Sequence, residues 1–169
     1  MSGYSWVSVV SVFCYLFLLL TFASSGQKSK KVIRTFIGML AIMILWNGGS
    51  LGMRLQIWPS PYFWHHVSLL GMMMVTVSYF HFSLDFLDDR NNHGRNFWAI
   101  FYVVIFVINC ITNFFIPLPE VTITGTKAEF LYHYNWHIYV LLSFIVITLL
   151  QLTGIIWRHC RGNRIAMQQ

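Results

Sequence analysis

Five apolar stretches, about Trp6 to Ala23, Thr35 to Trp58, Tyr62 to Leu87, Phe97 to Ile116 and Tyr134 to Trp157, dominate the chain. Each is close to or longer than the roughly 20 residues a helix needs to cross a hydrocarbon layer about 30 Å thick. Lipid offers no water to the backbone, so every N–H and C=O in such a stretch must be paired internally, and a helix does this within one segment. The expectation is an all-α integral membrane bundle of about five transmembrane helices, forming one domain over residues 1–169. Only 9% of the residues are charged, against roughly a quarter in soluble domains. That leaves too little polar surface for a separate water-soluble domain.

The connections Ser24 to Arg34, Pro59-Ser60-Pro61, Asp88 to Asn96 and Pro117 to His133 carry the prolines and polar residues that turns require. Alternate connections divide the cations unevenly. Lys28, Lys30, Lys31, Arg34, Arg90, Arg95, Arg158, Arg161 and Arg164 fall on one side, and only Arg54 and Lys127 on the other. Cationic loops stay in the cytoplasm, so the C-terminus is expected inside and the N-terminus outside. Trp58, Tyr62, Trp64, Tyr132, Tyr134 and Trp136 then form an aromatic belt at the outer interface. The Pro117 to His133 segment alternates enough to make a small outer hairpin.

The net charge of +6 is spread in short clusters between apolar stretches, which fits membrane topology and not nucleic acid. Cys14, Cys110 and Cys160 have no metal-type spacing and read as small apolar residues or free thiols. The start lacks the basic region of a secretory signal, and its apolar stretch runs into Lys28 instead of a small-residue cleavage site, so it is expected to remain as the first helix.

Gly48 and Gly52 form a small-xxx-small pair that lets another helix approach closely. Asn47 beside them is an amide in hydrocarbon and needs a partner, either a neighbouring helix or a ligand. His65 and His66 open the third helix. His133 and His137, four residues apart, would share a helical face at a spacing that suits a metal ion, or would act as interfacial side chains with an apolar body and a wet tip. No cofactor is expected: bis-histidine haem needs two imidazoles at one depth, and His81 and His137 differ in depth, although His66 and His137 share a level. His81 and Asp85 are also four apart near the cytoplasmic end of the third helix. Arg54 anchors the outer end of the second helix or meets an anionic ligand. The chain holds no phosphate loop, nucleophile elbow or zinc-protease motif, so enzymatic activity is not expected.

Trp46, Phe63, Trp64, Gly71, Val77, Tyr79 and Phe80, within Leu45 to Asp85, resemble the N-terminal seven-helix membrane region that precedes many bacterial sensor histidine kinases and diguanylate cyclases. That resemblance implies an outside N-terminus, a short turn between the second and third helices, and a cytoplasmic loop after the third. Two of the seven helices and the effector after Gln169 are missing, so the chain is expected to be either part of a longer protein or a free-standing form that signals to a separate one. The expected function is a sensory input module with a pocket lined by Asn47, Arg54, Trp64, His66, Tyr134 and His137. Its partners would be the lipid bilayer and a cytoplasmic effector. The alternative is a structural or redox subunit of a larger membrane complex or homodimer, with Gly48, Gly52 and Met72 to Met74 as the intermolecular face, or a small transporter component.

Overall fold

The computed structural model describes residues 3–24, 31–87, 94–124 and 127–166. Lys28, Lys30 and Arg90, which contribute to the charge asymmetry, lie outside the described residues, as do the side chains of Arg95, Lys127 and Arg164. Along the chain run α1 (Gly3–Ser24), α2 (Lys31–Arg54), α3 (Pro61–Phe86), α4 (Gly94–Thr112), an antiparallel hairpin of β1 (Glu120–Thr124) and β2 (Lys127–Leu131), and α5 (His137–Ala166). The expected all-α bundle and the small hairpin are both present. Among the described residues, α1, α2, α3 and α5 are long and apolar enough to cross a membrane. At 19 residues, α4 rises about 28 Å.

The third helix is the hub. Leu69, Met73, Val77, Phe80 and Leu84 recur every three or four residues, so they share one face of α3. That face packs on Trp98, Tyr102 and Ile105 of α4 and on Leu141 and Leu152 of α5. A second stripe of α3 runs antiparallel along α2. Here the backbones approach so closely that a Cβ on Gly71 would stand 2.6 Å from Trp46 Cα, and one on Gly49 would stand 2.6 Å from Ser68 N. Gly52 lies beneath the Trp64 indole. A Cβ on Gly48 would meet nothing within 4 Å, so Gly49 takes the place expected for Gly48: of two adjacent residues about 100° apart on a helix, only one faces the neighbour. Packing against α2, α1 buries none of its apolar window within the protein. In a bilayer that surface faces lipid tails.

Local hydrogen bonds move several helix ends from their expected positions. The second helix stops at Arg54 and not Trp58, because Gln56 turns left-handed at φ 52. The Ile57 amide then donates to the Gly52 carbonyl at 3.1 Å and the Gln56 amide to that of Met53 at 3.3 Å, a Schellman ending. A cis Trp58–Pro59 bond follows, and Ser60 caps α3 by accepting from the Phe63 amide at 3.1 Å. The fourth helix ends at Thr112 and not Ile116. Asn113 is left-handed at φ 52, and the fully buried Asn109 accepts from the Phe115 and Ile116 amides at 2.8 Å each and donates to the Ile116 carbonyl at 3.2 Å. The fifth helix starts at His137, three residues later than expected, and continues well past Trp157 to Ala166. Its 30 residues span about 45 Å, more than the hydrocarbon layer.

Candidate functional site at the hairpin end

The last turn of α2, the first turns of α3 and the segment leaving β2 meet at one end of the bundle. His65 faces inward, 5% exposed, because it continues the i, i+4 stripe of Leu69, Met73 and Val77. Its Nδ1 lies 3.3 Å from the Tyr132 hydroxyl, which also reaches Met53 Sδ at 3.8 Å. Burial pushes the Tyr132 phenol up to about 12, Tyr134 adds to the rise, and Arg54 pulls the other way. The phenol therefore stays neutral with one proton to give. That proton goes to Met53 Sδ when His65 Nδ1 carries the ring proton and donates to the phenol oxygen, and to His65 Nδ1 when the ring proton is on Nε2. His65 Nε2 and Arg54 Nε are both buried and have no hydrogen-bond partner among the described residues.

Three residues expected in the pocket gather around this centre. Arg54 acts electrostatically on Tyr132. The Trp64 indole donates to the Ile57 carbonyl at 3.0 Å while lying over Gly52, which fixes the α2–α3 turn. Tyr134, exposed, stacks on Tyr132 with ring centroids 5.5 Å apart. His66 is adjacent, its ring 5.5 Å from that of His65, but its Nδ1 donates to the Tyr62 carbonyl of its own helix at 2.7 Å.

Two expected residues lie elsewhere. Asn47 sits about two turns along α2 from Arg54 and donates to the Met43 carbonyl of its own helix at 3.0 Å. The His137 ring packs with its centroid 3.9 Å from that of Phe114 and 4.2 Å from that of Trp136, and its buried Nδ1 has no hydrogen-bond partner among the described residues. His133 precedes α5 and stands exposed, 3.5 Å from Glu120. The shared helical face expected of His133 and His137 does not form, because the helix begins only at His137. No group of three or more His, Cys, Asp or Glu among the described residues is placed to hold a metal ion.

Reading residue types missed His65 and Tyr132. The apolar stripe beginning at Leu69 would have singled out His65 over His66, whereas the contact from Tyr132 arises only from docking of the hairpin on α2 and carries no local signal. A second polar cluster was seen only in part. Asp85, its side chain fully buried, pairs with Lys31 at 2.7 Å and accepts from the Thr35 hydroxyl, joining the start of α2 to the end of α3. Between α4 and α5, the Trp98 indole donates to Gln151 at 2.7 Å. The Thr148 hydroxyl gives its proton to the Phe144 carbonyl, so the Tyr102 hydroxyl, 3.1 Å away, donates to Thr148.

Long apolar helices with lipid-facing surfaces and polar groups sequestered between them define a multi-pass α-helical membrane protein. Searches against family models, curated proteins and solved structures found no match for this chain.

Proposed function

We propose that the chain is a signal-input module of the cell membrane. The hairpin end faces outside, and the basic end of α5 faces a cytoplasmic kinase, cyclase or other membrane subunit. One observation carries the reading: the same helix pair, α2 and α3, holds buried polar atoms with no partner among the described residues at one end and an ionic link, Lys31 with Asp85 and Thr35, at the other. A ligand shifts a conformational equilibrium only through unequal affinity for its two states. One that accepts from both Arg54 and His65 favours the arrangement that keeps the two within its reach, and the close α2–α3 seam would carry that preference lengthwise. The orientation rests on the cation asymmetry, with α4 as the fifth crossing. The effector class rests on the family resemblance of Leu45 to Asp85.

Two measurements test this. An impermeant maleimide applied to intact cells should label a cysteine at Trp58 and spare Cys160; the reverse pattern refutes the orientation. Phe36 and Phe82 face each other near the opposite end, with ring centroids 5.5 Å apart. Cysteines placed there should cross-link at a rate that changes when Arg54 is replaced by glutamine. An unchanged rate removes the lengthwise coupling and with it the signalling role.

A further inference from the structure

The ligand chemistry inferred for the hairpin end rests on that end being the input site. Both unpartnered atoms can donate: Arg54 Nε–H always, and His65 Nε2–H in the tautomer whose Nδ1 accepts from Tyr132, the tautomer that an acceptor placed at Nε2 selects. Arg54 brings a full positive charge and makes no hydrogen bond or ion pair with a described residue. Glu120, a described carboxylate near this end, faces His133, and Asp85 is engaged at the far end. The start of α3 adds the positive end of its dipole. A water molecule would satisfy the donors and leave the charge without a counter-charge among the described residues. An acceptor-only group carrying negative charge satisfies both.

The neighbourhood supplies the second half of the specificity. Leu55, Ile57, Trp58, Tyr62 and Phe63 are large and exposed around the α2–α3 turn, and such aromatics sit at headgroup depth. A charged head held at Arg54 and His65 therefore leaves its tail alongside apolar side chains. We infer that this end of α2 and α3 binds the oxyanion head of an amphipathic molecule, with Arg54 and His65 Nε2–H as its donors. The shared chemistry is a carboxylate or phosphate on an apolar tail, from a free amphiphile or from an anionic lipid.

Radiolabelled octanoate, titrated into the full chain in phosphatidylcholine nanodiscs, probes the free source. Exchange into phosphatidylglycerol nanodiscs, read as a rise in thermal unfolding midpoint, probes the lipid source. The expected result is saturable octanoate binding, or a phosphatidylglycerol-dependent rise, that Arg54→Gln weakens about 10- to 100-fold, the range for losing one charge-assisted hydrogen bond. Arg54→Lys, which keeps the charge and loses the directed Nε–H, should fall between, and it serves if Arg54→Gln does not fold. Binding of neither probe, or equal binding by wild type and both variants, overturns the inference. Arg54-dependent octanoate binding with no change in the 36–82 cross-linking rate would sustain this site and sink the signalling role. Octanoate binding indifferent to Arg54, with cross-linking that still responds to Arg54→Gln, would do the opposite.

Discussion

Replacing Gly71 with alanine tests the seam between α2 and α3. The new methyl group would stand 2.6 Å from both Trp46 Cα and Trp46 N, and those are backbone atoms that no rotamer change can move. Carbon contacts settle at about 3.5–4.0 Å, so the helices must part locally by roughly 1 Å, a gap that forfeits a quarter to a half of each neighbouring dispersion contact. Overpacking of this kind costs about 1–3 kcal/mol, offset by up to about 1 kcal/mol from the better helix propensity of alanine. The expected net loss is about 1–2 kcal/mol. Gly49→Ala, whose methyl would meet Ser68 N at 2.6 Å, should lose as much. Gly48→Ala provides the internal control, because its methyl enters open space and should be neutral or stabilising by up to about 1 kcal/mol. Unfolding by sodium dodecyl sulfate titration in bicelles, followed by helical circular dichroism, gives all three values on one scale. Equal stability of the three variants would refute the close approach of α2 and α3 through Gly49 and Gly71.

Three further outcomes follow from the polar contacts. Asn109→Leu conserves volume but strips the Phe115 and Ile116 backbone groups of their partners, and should cost about 3–5 kcal/mol in the same titration; a loss below about 1 kcal/mol would mean that water or the backbone replaces the asparagine. Lys31→Met removes the ammonium from a fully buried carboxylate, whereas Asp85→Asn leaves a lysine that is 48% exposed and can turn to water. The first variant should therefore lose about 2–4 kcal/mol and the second clearly less, an asymmetry that a simple surface pair would not show. Tyr132 binds its proton more tightly folded than unfolded, so its contribution to stability is complete below about pH 10 and disappears as pH rises toward 12. Phenolate absorbance of wild type minus Tyr132→Phe should titrate near the top of that window, and a difference titrating near 10 would show the hydroxyl to be solvated.

The helices were legible because lipid enforces them: a long apolar run has one way to pair its backbone, so their number and approximate ranges could be read from residue type alone. Helix ends were less legible, since each depends on a local hydrogen bond, three to seven residues in reach, that residue type does not announce. The fourth helix loses its last turn to Asn109, which captures the amides of Phe115 and Ile116. Read locally, Asn109 is one polar residue in an apolar stretch, and nothing in its neighbours marks it as the cap of the following segment. Gln56 is similar, because a left-handed residue that is neither glycine nor asparagine leaves little trace in sequence. The site divides in the same way. Arg54 and Trp64 could be chosen because an arginine and an interfacial tryptophan are conspicuous at a helix end. His65 and His66 are indistinguishable by type, and the structure separates them by face: His65 is buried toward Tyr132, and His66 bonds within its own helix.

In lipid, α2 and α3 gain little from apolar burial against each other, because tails are as apolar as the side chains they would replace. Their association rests on the close backbone contacts at Gly49 and Gly71, on the Trp64 indole seated on Gly52, and on the polar groups at the two ends. This has a mechanical consequence for the proposed input role. Changes of about 1–3 kcal/mol are the usual size of coupling between sites, and a single completed or broken charge-assisted hydrogen bond is worth about as much. A helix pair held chiefly by such contacts can therefore be shifted by one ligand head group at Arg54, whereas a pair held by a large hydrophobic core in water would absorb the same perturbation. The link of Lys31 and Thr35 to Asp85 is then the element to watch. It closes the end that faces the proposed effector, and its lysine is exposed enough to leave the carboxylate when the seam moves.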